Sequence, residues 1–258
     1  MSRSSGSLLN TKISGHGPVV VLLHGYLSSL HYWDDLRGLL EKDYTVVAMD
    51  LLGFGNSPKP KESDYDYDDQ IASIKRTLAH HNLDDPILLI GHSMGALLAL
   101  RYASVRDQPT DRLLLLNMPV FSDAKEARRE LAGTNLLYRA GFYWGLHRLI
   151  WPVLRTKPAR EALKRKIPLD WYGVEKAALQ PSAESRSRSL RNVIEAQSSI
   201  EDLKSLTTQV TLVVGLRDRP IYLKNLRRFA RSAEFQVIVR DTEHNTLGED
   251  FDFIAGLL

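Results

Sequence analysis

The sequence predicts an α/β fold, a mostly parallel central sheet with helices on both faces. Short apolar runs recur at PVVVLLHG, YTVVAMD, PILLIGHS, DRLLLLN, QVTLVVG and EFQVIVRD. These runs are apolar throughout rather than alternating, the pattern of strands buried on both sides. Amphipathic, helix-like segments separate most of them, and strand alternating with helix predicts parallel crossovers.

Bulk composition narrows the function classes. A chain of 258 residues, 43% hydrophobic, buries the core of one large domain, or of one domain carrying an insertion. Its net charge of +3 is too mild to argue for nucleic acid, and no nucleic-acid-binding motif accompanies it. With no cysteine, disulfides, thiolate metal sites and a cysteine nucleophile are excluded. The apolar run in MSRSSGSLLN is too short for a secretory signal, and no segment reaches the roughly 18 apolar residues of a membrane span. A cytoplasmic protein without a transmembrane segment is expected, with residues 2–7 as a loose tail. The sequence carries no mark of oligomeric state.

Taken in order, LLNTKISG reads as a first strand, PVVVLLHG as a second ending in HGYLSS, and YTVVAMD as a third running into DLLGFGNSPKP. PILLIGHS drives into GHSMG and then the Ala/Leu-rich ALLALRYA, a strand, a tight turn and a helix. After DRLLLLN the alternation stops: residues 121 to about 205 hold no comparable apolar strand and read as several helices. SDAKEARREL starts like a capped helix, with Ser122 or Asp123 accepting from first-turn amides and Glu126 three residues beyond Asp123. The alternation resumes at Gln209. The expected division is a core of residues 1–119 and 207–258 with a helical cap inserted at 120–206. Residues 121–200 contain Phe142, Tyr143, Trp144, Trp151 and Trp171, and 15 Lys+Arg against 8 Asp+Glu, a local charge of +7. Such an insertion reads as a lid shaping a pocket, or as a satellite core with a solvated face, and contact with a membrane surface is a further reading.

GHSMG fits G-x-S-x-G, in which a strained strand-to-helix turn lifts the Ser93 hydroxyl to the upper edge of the sheet. Gly91 and Gly95 leave room where a β-carbon would collide, and the helix start aims unpaired amides at the serine. A serine needs a base, and the base an orienting carboxylate. Among eight histidines, His244 follows the last strand, just before the final helix, on the same sheet edge as Ser93. Asp218, directly after QVTLVVG, completes the order Ser, Asp, His. Asp123 is the alternative acid, although capping alone accounts for it. The oxyanion of acyl transfer requires two amide donors, assigned to the backbone of Met94 and of Tyr26, with Leu27 as fallback for the second. The side chains of Tyr26 and Met94 are then left to line the pocket.

As a set, HGYLSS, DLLGFGNSPKP, GHSMG, GLRD and EHN resemble the α/β-hydrolase superfamily, from Leu8 onward. The resemblance implies an eight-stranded sheet, a helical cap inserted after the strand ending near Asn117, no cofactor and no metal, and the triad Ser93, Asp218, His244. It makes DLLGFGNS a structural loop, so Asp50 and residues 53–57 carry no catalytic assignment. The extra antiparallel strand that such proteins place before LLNTKISG has no counterpart here, and the cap carries no family signature. A serine nucleophile sets the chain apart from the dehalogenases and epoxide hydrolases of this superfamily, which attack with an aspartate. The expectation is a carboxylesterase-like serine hydrolase acting on a small-molecule ester or thioester. The alternatives are a carbon–carbon bond hydrolase, a lactonase, a cofactor-free perhydrolase, or a ligand-binding pseudohydrolase. HGYLSS places bulk where carbon–carbon hydrolases tend to have glycine-rich loops.

Overall fold

The computed structural model of the protein describes residues 7–83, 88–105, 110–133, 156, 158, 180–196, 199–206, 208–229, 235–245 and 249–258. Among these, seven strands form one sheet: β1 (Thr11–Ser14), β2 (Val19–Leu23), β3 (Thr45–Met49), β4 (Leu88–His92), β5 (Arg112–Leu116), β6 (Gln209–Gly215) and β7 (Gln236–Arg240). Their order is β1-β3-β2-β4-β5-β6-β7, with β1 antiparallel to β3 and every other pair parallel. The predicted strands all form, but the implied eight-stranded sheet is corrected to seven among the described residues. Residues 7–10, ahead of β1, pair with no further strand.

The apolar runs fold as strands because successive side chains have a core on each side. Val21 and Leu23 of β2 enter one cluster, while Val20 and Leu22 enter the other. The first cluster is roofed by α2 (Tyr67–His80) and α3 (Met94–Ser104). The second is covered by Leu36 and Leu40 of α1 (Asp34–Leu40), with Trp33 just before it, and by Phe251 and Ile254 of α8 (Glu249–Ala255). Each fully buried Leu or Val contributes about 1.5–3 kcal/mol of transfer free energy. The expectation of strands buried on both faces fails at β7, whose residues are only partly buried and whose Val239 is 38% exposed. As the edge strand, β7 has a neighbour on one side only.

Local chemistry sets the helix starts. Asp66 Oδ1 accepts from the Asp69 amide at 2.9 Å, capping α2, and Asp68 and Asp69 place negative charge in its first turn. Ile71, Ile74 and Leu78 then form its inward stripe. α3 is buried on nearly every side and lies so close to β2 that a β-carbon on Gly95 would strike the Leu23 and His24 carbonyls. One on Gly91 would strike the backbone of Gly95 and Ala96, so both glycines of GHSMG serve strand–helix approach.

Between β5 and β6 the described residues form α4 (Ala124–Ala132), α5 (Ala183–Ser189), a π-helical turn at Leu190–Ile194 and α6 (Ser199–Ser205), and no strand. These helices lie within the block read from the sequence as an insertion. Its aromatic residues Phe142, Tyr143, Trp144, Trp151 and Trp171 lie outside the described residues, as do His147 and residues 1–6 of the expected tail. α6 is pinned to the core where Arg101 Nε of α3 donates to both carboxylate oxygens of Asp202, at 3.0 and 2.9 Å. Arg101 also lies over the Tyr67 ring, 4.4 Å from its centroid.

The strand order positions the site. β3 lies on one side of β2 and β4 on the other, so the chain reverses direction across the sheet at β2. Loops leaving the carboxyl ends of β2 and β4 therefore flank a crevice, the place where open α/β sheets bind ligands. Close approach of α3 yields a stability prediction. Gly95→Ala is expected to cost about 2 kcal/mol or more, because backbone rather than a flexible side chain meets the new methyl. Gly38→Ala, in α1 with nothing within 4 Å of the added carbon, is expected to gain about 0.5–1 kcal/mol. Chemical denaturation of both variants checks the contrast.

Candidate active site

Ser93 joins β4 to α3 with φ 53° and ψ −116°, a backbone that side-chain-bearing residues rarely adopt. The elbow is held from both ends. The Ser93 amide donates to the Leu116 carbonyl of β5 at 2.9 Å, and the Ser93 carbonyl accepts the first helical bond from Ala96 at 3.0 Å. First-turn amides of α3, that of Met94 among them, lie where no intrahelical carbonyl reaches.

Two further loops deliver the predicted partners. His244 Nε2 lies 3.0 Å from Ser93 Oγ, and His244 Nδ1 lies 2.7 Å from Asp218 Oδ2. Since an ionised carboxylate only accepts, the proton sits on Nδ1 and leaves Nε2 to accept from the serine hydroxyl. Asp218 is buried, 3% of its side chain exposed, and its second oxygen accepts from the Arg219 amide at 2.6 Å. Neither neighbouring guanidinium pairs with it: Arg217 meets Asp241, and Arg219 Nη1 donates to the Glu130 carbonyl at 3.0 Å. Sequence proximity of Arg217 and Arg219 therefore does not reduce Asp218 to a surface ion pair.

Asp123 is a correction to the sequence reading. Instead of approaching His244, it caps α4: its Oδ1 accepts from the Glu126 amide at 2.8 Å, while Glu126 Oε2 accepts from the Ser122 amide at 2.7 Å. The Glu126 amide, more than any other contact, favours the ionised carboxylate and holds its pKa below the usual value. Local capping takes this side chain out of reach of the imidazole.

The amide of Tyr26 is oriented from behind. His24 Nε2 accepts the Leu51 amide at 3.0 Å, so the proton lies on Nδ1, which donates to the Gly25 carbonyl at 2.7 Å. In a planar trans peptide the Tyr26 N–H then points the opposite way from that carbonyl. Gly25 packs close to Ser93, a β-carbon there falling 3.2 Å from Ser93 Cβ, and Leu27 continues the loop with φ 57°. Desolvation depresses the His24 pKa and keeps this ring neutral.

A cavity of about 630 Å³ opens over Ser93, with Tyr26, Leu27, Leu131, Ile194 and Tyr222 among its walls. That volume suits a small organic molecule. Tyr26 lines it as expected, with its hydroxyl donating to the Arg186 carbonyl of α5 at 3.0 Å. Met94 does not: its side chain is wholly buried in the core, because the first turn of α3 packs directly against the sheet. Only its backbone amide is available to the site. Asp50 belongs to the fold, accepting from the Leu30 amide, Asn10 Nδ2 and the Asn56 amide at 2.7–2.8 Å. Among the described residues no group of three or more His, Asp or Glu side chains converges to hold a metal ion.

Sequence reasoning missed two residues that hold the His244 loop. His92 Nε2 donates to the His244 carbonyl at 2.7 Å, and Asn117 Nδ2 donates to the same carbonyl at 2.8 Å. Asn117 also donates to the Glu243 carbonyl and accepts from the Gly215 amide, with φ 46°. One signal was present for each: an asparagine ending a strand tolerates the left-handed region, and His92 is a polar residue inside a buried elbow.

Residues 18–251 match the family described as the alpha/beta hydrolase fold. The chain belongs to the α/β-hydrolase superfamily. Among curated relatives it is 34% identical over 109 residues to a probable lysophospholipase, BODYGUARD 4, of Arabidopsis thaliana, covering 42% of this chain and 26% of that protein. It is 31% identical over 141 residues to a fluoroacetate dehalogenase of Burkholderia sp, covering 53% and 44%. The chain thus spans less than half the length of either. In fold it is similar to a hydrolase from Pseudomonas aeruginosa PA01, with TM-score 0.74, 17% identity and coverage of 99% of this chain and 94% of that one. The enol-lactonase of Burkholderia xenovorans LB400 is similar at TM-score 0.72, 19% identity and coverage of 98% and 95%.

The buried His92 gives a pH prediction for this protein. Burial, first, and then the neighbouring His244 push its pKa down to about 3. An unfolded histidine titrates near 6.5, so below that pH the unfolded chain binds a proton that the folded chain refuses. The contribution to stability is complete above about pH 6.5 and is lost progressively toward about pH 3. His92→Phe is expected to flatten the fall of unfolding free energy between pH 6 and 4 by up to about 1.4 kcal/mol per pH unit, read by denaturant titration. Parallel slopes for the two proteins would count against it.

Proposed function

We propose that this chain is a serine hydrolase that cleaves carboxylic esters or thioesters through an acyl-enzyme on Ser93. The observation carrying the reading is the unbroken hydrogen-bond line from Asp218 through His244 to Ser93 Oγ at the floor of the 630 Å³ cavity. In the proposed reaction, His244 Nε2 takes the hydroxyl proton as Oγ attacks the carbonyl carbon. Asp218 keeps the imidazole in the accepting tautomer and stabilises the imidazolium. The amides of Tyr26 and Met94 hold the oxyanion, His244 returns its proton to the leaving alcohol or thiol, and water reverses the sequence to free the acid.

Residues 120–206 serve in this reading as the cap that selects the substrate. Leu131 and Ile194 from that segment stand in the cavity wall, which supports the assignment. The names of several relatives agree with acyl transfer, a probable lysophospholipase and an enol-lactonase among them. The dehalogenase relative releases halide from fluoroacetate by its name. A serine at position 93 favours ester cleavage over that chemistry, since the superfamily's dehalogenases resemble this chain in fold but attack with an aspartate.

Short-chain nitrophenyl esters test the proposal. The expected outcome is turnover that falls by about 10⁴-fold or more in Ser93→Ala. Labelling by a fluorophosphonate should likewise disappear in both Ser93→Ala and His244→Ala. Wild-type turnover no faster than that of Ser93→Ala, with no labelling, would leave a ligand-binding pseudohydrolase and sink the enzymatic reading.

A further inference from the structure

Tyr222, on α7 (Pro220–Phe229), stands in the wall of the Ser93 cavity with its hydroxyl unused. The residue is only 3% exposed, and among the described residues nothing hydrogen-bonds its phenolic oxygen. Other tyrosines behave differently: the hydroxyls of Tyr26, Tyr65 and Tyr67 donate to the carbonyls of Arg186, Pro60 and Val193 at 2.7–3.1 Å. The Tyr222 ring has a packing task, edge-on against Phe121 at 5.3 Å between centroids, which a phenylalanine would perform as well. A hydroxyl taken out of water without a partner weakens a fold rather than supporting it. This one is not sealed in the core, and the cavity is where Tyr222 reaches open space.

His244 relates this phenol to the nucleophile. The Tyr222 and His244 rings lie 6.4 Å apart between centroids, and His244 Nε2 is 3.0 Å from Ser93 Oγ. The Tyr222 amide donates to the Arg219 carbonyl at 3.0 Å, which ties the first turn of α7 to the loop carrying Asp218. Burial, more than any charge, pushes the phenol's pKa above its ordinary value, so the group stays protonated and able to donate. The charges that act on it are one cation, Arg219, and two carboxylates, Asp218 and Glu130. Such a setting gathers no surplus positive field to draw an anion. Leu131 and Ile194 add apolar surface to the same wall, so a neutral oxygen is the acceptor that fits.

We propose that the Tyr222 hydroxyl is a substrate-binding donor, giving its hydrogen bond to a neutral oxygen, such as an ether or a hydroxyl, that the substrate carries a few bonds from its scissile carbonyl. The inference rests on the hydrolase reading and narrows its substrate class to esters with an oxygen function beyond the ester itself. A donor held by a buried ring loses little freedom when it engages, so it orients such a substrate over Ser93.

The test compares butyl pentanoate with two relatives in which an ether oxygen replaces one methylene, in the alcohol half or in the acyl half, using wild type and Tyr222→Phe. At least one ether ester should lose about fivefold to thirtyfold in kcat/KM in the variant, with butyl pentanoate unchanged within about twofold. Which ether suffers tells which half of the substrate bears the acceptor. The denaturation midpoint of Tyr222→Phe should equal or exceed that of wild type. Equal losses on all three esters, or no loss on either ether, overturn the proposal. So does a lower midpoint, because the hydroxyl would then serve the fold. If wild type hydrolyses none of the three, the hydrolase reading fails separately. Calorimetry with Ser93→Ala then decides the role of the hydroxyl. It is upheld by an ether ester that binds more tightly than butyl pentanoate and loses that advantage when Tyr222→Phe is added, and overturned by equal binding or none.

Discussion

The structure depends on one strained residue. Ser93 holds φ 53° between a buried strand and a buried helix, a conformation that costs about 1–3 kcal/mol and persists only when its surroundings leave no other path. Those surroundings are specific. β4 must end beside β2 and β5, α3 must begin at once, and the two must approach closely enough that Gly91 and Gly95 admit no side chain. Packing of Ala96 to Leu100 into the core supplies the free energy that holds the turn.

Everything else at the site is arranged around that turn. The strand order places the loop after β2 on one side of Ser93, and β5 and β6 on the other lead to Asn117 and Asp218. Buried neutral imidazoles then act as fixed donors. His24 turns the Gly25 carbonyl away from the cavity, and His92 holds the carbonyl of His244. Both rings fix neighbouring loops through short hydrogen bonds in a low-dielectric interior, where such bonds are strong.

Legibility followed the range of the interaction. β2 to β6 could be read because burial on both faces writes continuous Val, Ile and Leu into the chain, whereas β7 at the edge obeys the same pattern less well. Ser93, Asp218 and His244 were legible because each lies within four residues of a strand's carboxyl end, and parallel strands bring such positions to one edge. His92 and Asn117 were not, since their partner is a backbone carbonyl more than a hundred residues away and no sequence spacing encodes that contact. Met94 was half legible: its place after the serine assigns its amide, but nothing local tells that its side chain points into the core. Asp123 shows the reverse case, in which a strictly local pattern, an acid three residues before Glu126, already described its contacts. The segment proposed as the cap is the least legible part, because no apolar strand pattern marks it.

Rapid acid quench with intact and peptide mass spectrometry reads the proposed acyl-enzyme on Ser93 itself. With a slowly deacylated ester, the expected result is a transient mass gain of one acyl group on the peptide containing GHSMG, localised to Ser93 and absent from Ser93→Ala. Steady turnover without an adduct at Ser93, or with one on another residue, would contradict it.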